Sequence, residues 1–381
     1  MKDSATRFLT VWFVVCGMGC AGSDTGAVIA AQDEVQEGDE QSVASQDVAD
    51  LGNWPTETWT VETPESQEMD SQKLELARDY AFADGRNTQS VVIVRGGVIV
   101  GEWYASGSDK DDHVTSWSVG KSILSAVVGI AIERGDLPGI DEPVVSFFPE
   151  WEGTGRDAIT LRHALQMRSG LVPSTESLYV QVDQLEYSLE REIAVDPGTT
   201  WAYQNEDSML VSGALERSTG KPLAEYANEV LFEPLGMDGL WWLDFMGNTL
   251  GYCCIDATAR DFARFGLLFA RLGEWQGNQL VPKAWYEESV ASSHWDMPYG
   301  LHWWTFDNRF YGANFAAFGH MDQLIWIFPE HDLVVLRNGT YIRHGSEARV
   351  AFGSYQETLE ADDWDDANFV GLVLDALLPQ E

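Results

Sequence analysis

In the stretch SWSVGKS, residues 116–122, a serine precedes a lysine by three positions. On a helix that spacing puts Ser118 and Lys121 on one face, a turn apart. A hydroxyl beside an amine is a nucleophile with a base to hand. An amine stripped of water on burial falls from its ordinary pKa of about 10.4 and becomes able to take the hydroxyl proton. The same stretch also ends in Gly120-Lys121-Ser122, the close of a phosphate-binding loop. That loop needs a glycine at position 115 and a buried strand leading in, whereas the chain has Thr115 and the polar run SDKDDHV. The phosphate reading fails on both counts.

The elements around the pair fit acyl-transfer chemistry. From Val119 the chain runs VGKSILSAVVGIAIERGDL, apolar nearly all round to Glu133, which predicts a buried helix with Ser118 at its positive end. Serine is also a favoured helix cap, so Ser118 needs support from elsewhere. Ser218-Thr219-Gly220-Lys221 repeats the spacing, but Gly220 and Pro222 mark it as a loop. Support comes from DPGTTWAYQN, residues 196–205, where Tyr203 and Asn205 form a Tyr-x-Asn pair behind a Pro-Gly turn. Tyr226-Ala227-Asn228 has that spacing too, within the helical PLAEYANEVLF, and reads as packing. The stretches TLRHALQMRSGL (160–171), VLFEPLGM (230–237) and GYCCIDATARDFARFGLL (251–268) complete the set, with His163 read as a structural hydrogen-bonder.

Together these motifs make the chain from about Ser90 to Asn338 resemble the serine hydrolases related to class C β-lactamases, penicillin-binding D-Ala-D-Ala peptidases, family VIII esterases and 6-aminohexanoate-dimer hydrolases. The resemblance implies Ser118 as nucleophile, Lys121 as its partner, Tyr203 as the tyrosine of the second motif and Asn205 beside it. It leaves open whether Lys121 or Tyr203 is the base. The third family motif falls at FGHMDQ, residues 318–323, with His320 in the first position and Asp322 where a glycine is usual. A backbone N–H of Asp322 or Gln323 is expected to complete an oxyanion hole with that of Ser118. The implied activity is hydrolysis of a linear amide or carboxylic ester, with no cofactor and no metal. A β-lactamase or D-Ala-D-Ala carboxypeptidase is the alternative, disfavoured by the missing Lys-Thr-Gly, and a non-catalytic envelope receptor is another.

The elements predict an α/β (α+β) fold of the β-lactamase/transpeptidase type. A helix is expected over Met69–Phe82, a hairpin over residues 90–104 around Arg95-Gly96-Gly97, and a second hairpin over 323–338. EADDWDDANFVGLVLDALL reads as a closing helix. An antiparallel sheet flanked by terminal helices, with an inserted mainly helical subdomain at roughly 118–250, accommodates this order. Tryptophans 117, 201, 241, 242, 303 and 304 adjoin the motifs and offer an aromatic wall for an apolar acyl chain.

The totals set the remaining limits. At 381 residues and 45% hydrophobic the chain can bury a large core, and a net charge of −38 excludes nucleic acid and disfavours anionic membrane surfaces. The expected partner is a small-molecule or peptide-like substrate. Lys2 and Arg7 precede a mostly apolar run from Phe8 to Val15, so residues 1–19 read as an export signal with Cys20 as a lipid-attachment site, the only link to a membrane, and plain secretion as the alternative. Residues 23–53 carry eight acids and no Lys or Arg. Residues 20–53 therefore read as a flexible tether, and 54–381 as the folded hydrolase. Cys253 and Cys254, being neighbours, read as small buried side chains rather than a disulfide.

Overall fold

The computed structural model describes residues 52–55, 57–293, 297–308, 312–343 and 356–378; the leader, Cys20 and nearly all of the tether lie outside them. Two β-branched runs meet at Gly96 and Gly97, whose φ of 59° and 76° glycine adopts without strain, and form the hairpin of β1 (Thr88–Arg95) and β2 (Val98–Tyr104). Four late strands follow: β3 (Trp304–Asn308), β4 (Gly312–Gly319), β5 (Gln323–Phe328) and β6 (Leu333–Gly339). They form one six-stranded sheet in the order β2-β1-β6-β5-β4-β3, every pairing antiparallel. Because β1 pairs with β6, with Val92 opposite Leu336, the two hairpins meet in the middle of the sheet, and the chain between β2 and β3 is an insertion.

Alternation along the strands gives the sheet two apolar faces. Val91, Ile93, Leu333 and Val335 bury one face under the terminal helices α1 (Ser71–Ala81) and α5 (Asp366–Leu374). Val92, Val94, Val334 and Leu336 bury the other, against α2 (Val119–Arg134) and α4 (Ala259–Ala270), while α3 (Asn205–Thr219) joins the same core. The expected architecture of a sheet between terminal helices and a helical insertion is the one observed. α2 is buried without a break from Val119 to Ala131, as its all-round apolar sequence requires, and stops at Gly135 in the left-handed region. Ser218 and Lys221 flank the end of α3 at Gly220, so the second serine–lysine spacing does lie at a helix stop. Among the described residues no helix is long and apolar enough to cross a membrane.

A short second sheet sets up the start of α2. Residues 113–115 pair with 255–258, which pair with 240–241. Ser116 continues the first pairing: its N–H donates to the Ile255 carbonyl at 2.9 Å, and its Oγ accepts from Ile255 N at 2.8 Å. The cysteine reading is corrected here. Cys253 and Cys254 are both buried but bonded to each other, because Cys254 adopts φ 77° and turns its side chain to the same side as its neighbour's.

The helix α4 begins with a capping box in which the Thr258 side chain accepts from Asp261 N and Asp261 reaches back to Thr258 N. Thr258→Ala is expected to lower unfolding free energy by about 1 kcal/mol, read as a lower urea midpoint; an unchanged midpoint contradicts this account of the helix start.

Candidate active site

The turn carrying Ser118 is shaped before any side chain acts. Trp117 takes φ 46°, in the left-handed region, and its carbonyl accepts from Gly120 N at 3.0 Å and Cys254 N at 3.2 Å. Gly120 must be small: a Cβ there would stand 3.0 Å from the Cys253 carbonyl carbon. Ser118 makes no side-chain cap hydrogen bond, so its hydroxyl is not spent on the helix end. Its Oγ lies 3.1 Å from Lys121 Nζ.

Lys121 is only 1% exposed. Its Nζ donates to Asn205 Oδ1 at 2.7 Å and to the Tyr252 carbonyl at 2.8 Å. Burial drives its pKa well below the ordinary 10.5, opposed by the nearby Glu206 carboxyl. A neutral amine has two N–H donors and one lone pair. As a free amine, Lys121 would spend its two donors on Asn205 and Tyr252 and leave its lone pair toward Ser118 Oγ.

The Tyr-x-Asn pair delivers both of its members here. Asn205, at the first turn of α3, also donates through Nδ2 to the Tyr179 hydroxyl at 2.9 Å, so its amide is held at both ends. The Tyr203 ring centre lies 4.9 Å from Lys121 Nζ. Burial raises the Tyr203 phenol well above its ordinary value of 10, and a hydrogen bond with Ser118 pulls the other way. The two shifts run in opposite directions, the lysine down and the tyrosine up, and burial is the main cause of both.

The third motif is arranged differently from the sequence expectation. Gly319, at the end of β4, is where backbone approaches backbone: a Cβ there would stand 2.5 Å from the Ser116 carbonyl oxygen and 3.1 Å from Trp117 Cβ. The glycine that close approach demands is therefore at 319, and Asp322 does not replace it. Asp322 sits in the turn between β4 and β5 with φ 59°, its carbonyl accepting from Arg337 Nη1 at 2.9 Å and its carboxylate 4.0 Å from the same nitrogen. Arg337 lies over the Trp364 ring, so Asp322 is drawn toward the face covered by α1 and α5. Gln323 opens β5 opposite Gly319, and its Oε1 accepts from Asn338 Nδ2 and Gly339 N. His320 meets the Trp117 ring edge-on at 5.1 Å, and burial lowers its pKa below 6.5.

The flanking readings also sort. His163 is part of the capping box at Thr160, a structural place, and the Tyr226 hydroxyl donates to Asp136 Oδ2 at 2.7 Å, in packing. Trp241, Trp242 and Trp303 are core. Trp201 and Trp304 instead pack around Tyr203, at 6.2 and 6.0 Å between ring centres, and stay partly open. Three groups escaped the sequence reading: Tyr252, which acts through its carbonyl; Tyr179, which steadies Asn205; and Gly319. For Tyr252 the only signal was its place in GYCC, next to the cysteine pair. Among the described residues no cluster of three His, Cys, Asp or Glu side chains assembles for a metal.

The profile of the Beta-lactamase family matches residues 75–341. The chain belongs to the beta-lactamase family. Within it, 6-aminohexanoate-dimer hydrolase of Paenarthrobacter ureafaciens is 24% identical over 287 residues, covering 66% of this chain and 72% of that protein. Esterase EstB of Burkholderia gladioli is 28% identical over 142 residues, 32% of this chain and 36% of that protein. A structure from Bacillus anthracis assigned as a 6-aminohexanoate-dimer hydrolase superposes with a TM-score of 0.69 at 19% identity, covering 86% of this chain and 89% of its own. That likeness shows the shared fold. This member of the beta-lactamase family is an enzyme, a serine hydrolase.

With Lys121 as the base, only its free amine would be active, so kcat/KM is expected to fall as pH drops through the Lys121 pKa. Burial puts this limb far below 10.5, and a pH–rate profile limited near the ordinary lysine value contradicts it. Lys121→Arg, a permanent cation, should cost at least about 10²-fold in kcat/KM at every pH; near-normal turnover in that variant removes Lys121 as the base.

Proposed function

We propose that the protein is an exported hydrolase that cleaves a linear amide or a carboxylic ester through an acyl-enzyme on Ser118. The observation that carries this is the setting of Lys121 Nζ, which is buried within hydrogen-bond distance of three oxygens: Ser118 Oγ at 3.1 Å, Asn205 Oδ1 at 2.7 Å and the Tyr252 carbonyl at 2.8 Å. In this reading Lys121 takes the Ser118 proton as Oγ adds to the substrate carbonyl. The oxyanion is held by the Ser118 N–H at the positive end of α2 and by the backbone at the end of β4 around Gly319. Tyr203, a phenol at working pH, lies between the lysine and the leaving group and passes the proton outward as the tetrahedral intermediate collapses. Water then adds to the acyl carbonyl as Lys121 accepts its proton, and collapse breaks the bond to Ser118 Oγ, which takes that proton back from Lys121.

Substrate class follows from the walls. Trp201, Tyr203 and Trp304 form an aromatic side for an apolar acyl chain, and His320, held neutral by burial, offers no fixed cation for a β-lactam carboxylate. This favours linear substrates over β-lactams. The names of the relatives, one a hydrolase of aminohexanoate dimers and one an esterase, are consistent with that class.

A fluorophosphonate probe should label the wild-type protein and leave Ser118→Ala unlabelled, with hydrolysis reduced at least about 10³-fold; labelling that persists in the variant places the nucleophile elsewhere. On one preparation, a short p-nitrophenyl ester and an aminohexanoate dimer should both be cleaved faster than a chromogenic cephalosporin, and the reverse order makes the protein a β-lactamase. Export with lipid attachment at Cys20 predicts that the protein fractionates with membranes and that Cys20→Ser releases it. Equal release of wild type and variant removes the anchor from the proposal.

A further inference from the structure

The bonded pair Cys253–Cys254 lies directly behind the catalytic turn, and its neighbours on both sides touch that turn. On one side the Tyr252 carbonyl accepts from Lys121 Nζ at 2.8 Å. On the other the Cys254 N–H faces the Trp117 carbonyl and Ser116 Oγ, each at 3.2 Å. Between them, Cys253 presses its backbone on Gly120, one of the two residues between the serine and the lysine. The segment is held from behind as well: Trp241 Nε1 donates to both the Leu250 and Cys253 carbonyls at 2.8 Å, and Trp242 N donates to the Cys254 carbonyl at 3.0 Å.

A disulfide between neighbours closes the smallest ring a chain allows. The stabilisation a cross-link draws from the unfolded chain grows with the length of the loop it closes, so here that contribution is least. What the bond fixes is local: the relative direction of two successive residues, with Cys254 kept at φ 77°, where a non-glycine residue does not stay without restraint. Both sulfurs are buried, at 1% and 0% residue exposure, so the restraint is constant rather than one a reductant toggles in the folded protein.

We infer that the Cys253–Cys254 disulfide is a positioning device for catalysis: it holds the Tyr252 carbonyl against Lys121 and the Cys254 N–H against the turn before Ser118, keeping the amine dry and its lone pair aimed at the hydroxyl. Neither cysteine touches the reacting atoms; the pair acts through Tyr252 and Gly120. The inference rests on the assignment of Ser118 and Lys121 as nucleophile and base. Without the bond the 252–254 segment can turn, the lysine loses a fixed acceptor, and water gains access to Nζ. Its pKa then rises toward the ordinary value.

The test uses the full chain with a p-nitrophenyl ester, comparing wild type, Ser118→Ala and the double variant Cys253→Ser/Cys254→Ser. Wild-type protein is first unfolded without reductant and alkylated; no adduct is expected on the peptide that carries both cysteines, and alkylation of both overturns the inference at once. The double variant should melt close to wild type, lose kcat by about tenfold or more with KM little changed, and show the acid limb of its kcat/KM profile moved to higher pH. A smaller kcat with an unmoved limb makes the disulfide merely structural. An unchanged kcat, or a variant that does not fold, overturns the inference as well. Full activity in Ser118→Ala sinks the catalytic assignment itself, whereas an inactive Ser118→Ala beside an unaltered double variant sinks only the role of the disulfide.

Discussion

An ammonium group cannot be buried cheaply, and the site is organised around that fact. Lys121 starts on a helix whose every neighbour from Val119 to Ala131 is buried, so its amine has almost no water. Desolvation favours the neutral form. Neutral, it needs two acceptors and offers one lone pair, and the fold supplies that number from two distant segments, Asn205 on α3 and the Tyr252 carbonyl before the short second sheet. Ser118 is then the group left to meet the lone pair. A lysine in water at the same sequence spacing has no such tendency.

The larger architecture holds these segments in register. The first and last hairpins pair at the centre of the sheet, so β4 is fixed by β5 and ends at Gly319 against Ser116. The short sheet through Ile255 holds the other flank of the same serine, and α3 packs into the shared core with α2. Three parts of the chain thus meet at one turn. The sheet's other face, under α1 and α5, takes no part beyond anchoring Arg337 and, through it, the turn at Asp322.

Much of this was legible before any coordinates. Ser118 and Lys121 are local, three positions apart, and their helix declares itself by being apolar all round. Hairpins at Gly96-Gly97 and Pro329–Asp332 follow from turn chemistry and β-branched runs. The Tyr-x-Asn pair was visible, but its meeting with Lys121, 84 positions away, is a tertiary fact that spacing alone does not encode. What stayed hidden was carried by backbone. The Tyr252 carbonyl has no side-chain signature, and a glycine such as Gly319 does not announce which backbone it must admit. That Cys253 and Cys254 are bonded, with Cys254 at φ 77°, is a backbone fact that residue types do not reveal. Asp322 departs from the motif in sequence, and the structure places it in the turn between β4 and β5 while Gly319 makes the close approach to Ser116.

The central claim is that Lys121 is a neutral amine in the resting protein, and a direct titration of that one nitrogen tests it. With lysines labelled at Nζ and Cε, and the Lys121 signal assigned by its loss in Lys121→Arg, NMR across a pH series should show this amine titrating well below 10.5 while the exposed lysines titrate near it. A Lys121 signal that stays that of an ammonium ion up to the ordinary lysine range contradicts the account.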